Sequence, residues 1–151
     1  MARIGFYHLV RQPLEQVLPK LLEKAVASGA KIVVLAGSTD RVEFLNDQLW
    51  TYSDDSWVPH GSAKDGNADL QPIWLTTTEE NPNQSTILVA CDGAAPTHVE
   101  KWERCLDLFD GNDEQAVAAA RQRWKHWKDQ GHELVYYQQS ERGGWEEKAR
   151  S

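Results

Sequence analysis

Apolar positions recur along the chain with two different periods. Arg3 to Val10 (RIGFYHLV) is a short run rich in apolar and aromatic residues and predicts a strand. Leu14, Val17, Leu18, Leu21, Leu22, Ala25 and Val26 then follow three-four spacing, the pattern of a helix burying one face. Gln12-Pro13 opens that helix, since a proline at the first helical position lacks only an N–H that has no partner there. Pro19 conflicts with a straight helix and predicts a kink or a later start, and Gly29 marks the stop. Lys31 to Ala36 (KIVVLA) is a continuous apolar run, as expected for a strand covered on both faces. Ser38 to Asp40 offer caps for a second helix, whose apolar side is Val42, Leu45, Leu49 and Trp50.

Strand, helix, strand and helix at this spacing predict βαβ units. The expected fold class is α/β, a single three-layer domain with a mainly parallel central sheet flanked by helices. Thr51 to Gln71 is polar and rich in Asp, Gly and Ser; a loop this long in a compact domain is expected to be functional or mobile. Pro72 to Thr76 and Thr86 to Cys91 supply two more strands, while Trp102 to Phe109 fits either a helix end or a strand. Asn112 or Asp113 can cap a last long helix running to Gln130 and closed by Gly131. His132 to Gln138 (HELVYYQ) has the aromatic and β-branched content of a final strand. The expected division is therefore a domain over 1–138 and a polar tail over 139–151, loosely packed if at all, with Trp145 its one large apolar residue.

Composition narrows the function classes. With 151 residues, 40% hydrophobic and 26% charged, the chain suits one globular domain with a real core. No apolar run approaches the ~20 residues of a membrane span, and the N-terminus lacks a signal-peptide pattern, so no membrane partner and a cytoplasmic location are expected. Cys91 and Cys105 do not form a metal-ligand spacing, and reduced, partly buried thiols are the better reading. A formal net charge of -7 argues against coating DNA by bulk electrostatics.

Candidate chemistry is sparse. The turn Leu35-Ala-Gly-Ser-Thr-Asp40 sits where many α/β proteins bind phosphate, but it lacks both the P-loop and the dinucleotide glycine patterns, and a plain turn is the better reading. Asp40, Asp54, Asp55 and Asp92 have no spacing that demands a divalent cation, and His60 stands alone in its loop. No nucleophile-elbow sequence surrounds Cys91-Asp92-Gly93. No enzyme activity, metal or cofactor is expected.

One block stands out against the acidic average. Arg121-Gln-Arg-Trp-Lys-His-Trp-Lys128 holds four permanent cations and two tryptophans without a carboxylate. Such a block suits an acidic, partly hydrophobic partner, because the cations attract and the aromatic faces supply desolvated contact area. On a helix Val117, Ala120, Trp124 and Trp127 face the sheet. Arg121, Lys125 and Lys128, at i, i+4 and i+7, form a neighbouring row beside Trp124, with Arg123 and His126 pointing elsewhere. A solvated charged face over core tryptophans, with some cations complementing the helix dipole, is the competing reading.

Several short signatures carry a family resemblance. They are Phe6-Tyr7, Leu49-Trp50, Ser56-Trp-Val-Pro-His-Gly61, Leu108-Phe-Asp-Gly111, Ala120-Arg-Gln-Arg-Trp-Lys125, Gly131-His, and Gln138 to Gly143-Gly-Trp145. Along nearly its whole length the chain resembles the chi subunit of bacterial DNA polymerase III holoenzyme. The resemblance implies a noncatalytic accessory part of the clamp-loader assembly, with an α/β fold similar to mononucleotide-binding domains. It implies docking of the acidic C-terminal tail of single-stranded DNA-binding protein (SSB) on the final helix, at positions matching Arg121, Trp124, Lys125 and Lys128. It also implies a face for the psi subunit at Leu49, Trp50 and Trp57, with DNA reached only indirectly through SSB. The chemistry agrees: Arg121 can take a terminal carboxylate bidentately, Lys125 and Lys128 the acidic side chains, and Trp124 can supply the apolar wall. Direct binding of single-stranded nucleic acid through the same cations and tryptophans is the alternative.

Overall fold

The most apolar runs of the chain become its most buried strands. In the computed structural model, residues 2–10, 14–50, 61–62, 71–91, 93–140 and 144–151 are described. Strand β1 (Arg3–Leu9) is followed by α1 (Leu14–Ala27), β2 (Ile32–Leu35) and α2 (Thr39–Trp50). Then come β3 (Gly61–Ser62), β4 (Ile73–Thr76), β5 (Ile87–Ala90), a 3-10 turn (Val99–Lys101) and β6 (Arg104–Asp110). The chain ends with α3 (Glu114–Asp129), β7 (Glu133–Gln139) and β8 (Trp145–Arg150). All four side chains of β2 and of β4 are buried, as a doubly covered strand requires.

Among the described residues eight strands form one sheet in the order β3-β4-β2-β5-β6-β1-β7-β8. Every neighbouring pair is parallel except β7 with β8. The mainly parallel α/β fold expected from the spacing is thus present, and alternation along each strand splits the core in two. On one face Leu18, Leu22, Leu45 and Leu49 of α1 and α2 pack on Leu9, Val34, Leu75 and Leu108. On the other, Ala120 and Trp127 of α3 pack with Ile4, Phe6, Phe109 and Leu134.

Helix α1 runs unbroken from Leu14 with Pro19 in its second turn, so it does not start later. A proline this close to the start forfeits a single intrahelical bond; Gln12-Pro13 lie outside the described residues. Ser38 caps α2, its Oγ accepting from the Arg41 N–H at 3.2 Å. The ambiguous segment Trp102 to Phe109 is strand β6, held between β5 and β1. Most of Thr51 to Gln71 lies outside the described residues, and Gly61–Ser62 within it adds a parallel rung to β4.

The expectation of a loosely packed segment after 139 is overturned for Trp145 to Arg150. That segment pairs antiparallel with β7, and Ser151 and Leu134 exchange two backbone hydrogen bonds of 2.8 and 2.9 Å. Trp145 lies edge-on to Tyr7 at 5.0 Å, and Tyr7 stacks on Tyr137 at 5.1 Å. The sequence of β8 reads as a tail because five of its six residues are exposed. Its charges protect a sheet edge rather than mark disorder.

Candidate protein-interaction site

Helix α3 owes its existence to four alanines between 116 and 120 and to firm ends. Asp113 is its N-cap, with Oδ1 accepting from Gln115 N (3.0 Å) and Ala116 N (3.4 Å). Gly131, at φ +87°, ends it in a conformation that favours glycine. Ala120 and Trp127 are buried against the sheet, and Val117 and Trp124 are half-buried beside them. Trp124 meets Phe6 edge-on at 5.4 Å.

The buried stripe has cations on both flanks, and the two flanks have different fates. Arg121, Lys125 and Lys128 are exposed on one side, with no ion pair among the described residues. On the other side Arg123 turns under the helix and grips Asp107 of β6 through Nε–Oδ2 at 2.6 Å and Nη2–Oδ1 at 2.9 Å. Burial pushes the Asp107 carboxyl up from its ordinary value, and the guanidinium pulls against it. The structure therefore divides the basic block into a clamp and an outward row, while His126 is exposed and contacts Gln130.

Two residues that sequence reasoning did not single out extend the aromatic wall beside that row. Tyr136 of β7 stands 6.0 Å from Trp124, edge-on, and its hydroxyl lies 2.5 Å from His8 Nδ1. The His8 ring also tilts against Phe109 at 5.2 Å. Parallel register sets Phe6 beside Tyr136, and His8 follows two residues on, so it shares the α3 face. Knowing that β1 pairs with β7 would have found both; their local sequence does not.

Gly111 completes this corner. A Cβ there would sit 1.9 Å from the His8 ring and 2.7 Å from the Leu9 carbonyl oxygen, so the position needs glycine for closeness. Burial lowers the His8 pKa; the Gly111 backbone carbonyl and Asp110 oppose that, and Arg121 reinforces it. Burial raises the Tyr136 pKa, with Arg121 opposing.

Chain direction diverges between β1 and β6: β1 leads through α1 to β2, and β6 leads through α3 to β7 on the other side. Such a switch point is where open α/β sheets hold ligands. A crevice of about 540 Å³ opens there, lined among others by Leu9, Leu14, Phe109, Asp113, Ala116 and Arg123. The first N–H groups of α3, where a phosphate would bind, already serve the Asp113 carboxylate. The Gly37-Ser38 turn is likewise a helix cap. Among the described residues no three His, Cys, Asp or Glu side chains gather as a metal site, and Asp54, Asp55, His60 and Asp92 lie outside them. No helix of the described residues is long and apolar enough to cross a membrane.

For the second face, Leu49 is a core residue beneath α2. The Trp50 side chain and all of Trp57 lie outside the described residues.

The chain matches the family model described as DNA polymerase III chi subunit, HolC, over residues 1–135. A protein from Rickettsia prowazekii, named probable DNA polymerase III subunit chi, is 35% identical over 101 residues. That alignment covers 67% of this chain and 59% of the relative, so it spans less than two thirds of the relative's length. On the family match, which takes in β1, the whole of α3 and the start of β7, this chain belongs to the DNA polymerase III chi subunit family.

Proposed function

We propose that this chain is a noncatalytic, cytoplasmic accessory subunit of the clamp-loader assembly that docks the acidic C-terminal tail of SSB on α3. DNA is then reached through SSB rather than touched directly. The single observation carrying this reading is the outward row Arg121, Lys125 and Lys128 beside the half-buried Trp124, separate from the inward clamp Arg123–Asp107. An acidic tail ending in an apolar residue with a free carboxylate fits that row. Arg121 takes the terminal carboxylate, Lys125 and Lys128 the acidic side chains, and Trp124 with Tyr136 the apolar residue. Each desolvated charge-assisted contact contributes about 1.5–3 kcal/mol, so two or three support micromolar binding. A second partner, the psi subunit, is assigned to the face of Trp50 and Trp57, with Leu49 supporting it from the core.

Fluorescence anisotropy with a labelled SSB-tail peptide tests the dock at low and moderate salt. Arg121→Ala is expected to weaken binding about tenfold or more, corresponding to at least ~1.4 kcal/mol. Equal affinity for wild type and variant would remove α3 from the interface. Tight, salt-sensitive binding of a single-stranded oligonucleotide without SSB would favour the nucleic-acid reading instead. Recovery of psi by wild type and by Trp57→Ala alike in a pull-down would dismiss the second face.

A further inference from the structure

We infer that His8 and Tyr136 complete the anion dock beside Arg121, and that protonation of His8 turns the Tyr136 hydroxyl from an acceptor into a donor for the docked carboxylate. This rests on the tail-docking reading above and adds to it a coupled proton.

His8 Nδ1 is 2.5 Å from the Tyr136 hydroxyl. The other ring nitrogen, Nε2, faces Gly111, close enough that any Cβ there would lie 2.0 Å from it. A phenol is the better donor and a neutral imidazole nitrogen the better acceptor, so in the neutral pair Nδ1 offers its lone pair to the hydroxyl and Nε2 carries the ring hydrogen. The one hydroxyl hydrogen of Tyr136 is then committed to His8. Only lone pairs remain to face the region of Arg121, and lone pairs repel a carboxylate.

Protonating His8 reverses the direction of this bond. Nδ1–H then donates to the tyrosine oxygen, and the hydroxyl hydrogen is free to point at an anion on Arg121. The titratable and charged groups around the imidazole are Arg121 from α3, Asp110 from the end of β6 and the neutral phenol of Tyr136 from β7. In the free protein burial, and with it Arg121, lowers the His8 pKa. A carboxylate bound at Arg121 cancels that charge and adds its own, so docking draws a proton onto His8. By reciprocity, a proton on His8 tightens docking. Both residues are half-buried, which leaves the pair within reach of a ligand.

The test uses the full chain in a His126→Gln background, because His126 is a second imidazole, exposed on the helix that carries Arg121. The probe is an N-acetylated synthetic peptide of acidic residues ending in an apolar residue with a free α-carboxylate, whose remaining groups titrate below the window used. NMR of the His8 ring should show its midpoint rising when peptide saturates the protein. Peptide affinity should be greater at pH 6.0 than at pH 8.0, by about three- to sixfold if that midpoint rises by about one unit, tenfold being the limit reached once the free ring is fully protonated. The gain in affinity from pH 8.0 to pH 6.0 should be smaller in Tyr136→Phe than in wild type. An unchanged His8 midpoint, or the same pH dependence in Tyr136→Phe, overturns the inference while Arg121-dependent binding stands. Absence of Arg121-dependent binding at either pH overturns the docking reading and this inference with it.

Discussion

Replacing Arg123 by methionine would strand the Asp107 carboxylate beneath α3. The two side chains are 13% and 4% exposed, and both bonds between them are short. Removing one member of such a pair costs about 3–5 kcal/mol, mostly the penalty of an uncompensated buried charge. For a domain of this size each kcal/mol is worth about 2–4 °C of melting temperature, so Arg123→Met should melt about 6–20 °C lower. Substituting both positions, as Asp107→Leu with Arg123→Met, should recover most of the loss, because no charge is left buried. The single variant carries a sign in pH as well. Without the guanidinium, burial raises the Asp107 carboxyl still further above its unfolded value of about 3.9. Between those two values the folded state binds more protons than the unfolded one, so stability falls as pH rises through that window. The deficit against wild type is therefore largest near neutrality and shrinks towards acid. Urea unfolding followed by tryptophan fluorescence at two pH values measures each of these quantities. A loss below about 1 kcal/mol for Arg123→Met, or a double variant no better than it, would refute the buried-pair account. Tail affinity of the folded single variant should stay within about twofold of wild type, which separates clamp from dock.

Gly111→Ala should cost about 1–3 kcal/mol and displace His8, because the added methyl overlaps that ring and nears the Leu9 carbonyl oxygen; urea unfolding and the His8 NMR signals report both. Trp145→Ala removes the edge contact with Tyr7 and should destabilise by about 1–3 kcal/mol, whereas a flexible tail would leave the unfolding midpoint unmoved. Burial pushes the Cys105 thiol up to about 12, and Cys91 is buried too. Neither should react with a thiol reagent at neutral pH in the native state, and both should react once urea unfolds the chain.

Sequence pattern reached the parts of this fold whose burial is local. The runs around Ile32–Leu35 and Ile87–Ala90 are strands because every side chain must be apolar when both faces are covered. The row on α3 followed from helical spacing alone, and the exposed positions of Arg121, Lys125 and Lys128 agree with it. What pattern could not supply was anything fixed by pairing between distant segments. Strand β8 was missed because its partner contacts are backbone bonds to β7, which leave no apolar trace in Glu146, Glu147, Lys148 and Arg150. The His8–Tyr136 pair was missed because 128 positions separate two residues that parallel register brings together. Arg123 was expected to point away from the outward row, but only the structure supplies Asp107 as the reason.

Strand β1 is flanked in the sheet by β6 and β7, both from the far end of the chain. A nascent chain therefore makes its first strand early and must hold Ile4 and Phe6 uncovered until residues 104–139 have left the ribosome, at about 5–20 residues per second. High contact order of this kind slows folding, since long-range pairing must pay loop entropy before any contact rewards it. The corner holding His8, Arg121, Trp124 and Tyr136 draws on both ends of the chain and so assembles last. A chain interrupted before β7 would lack this corner altogether.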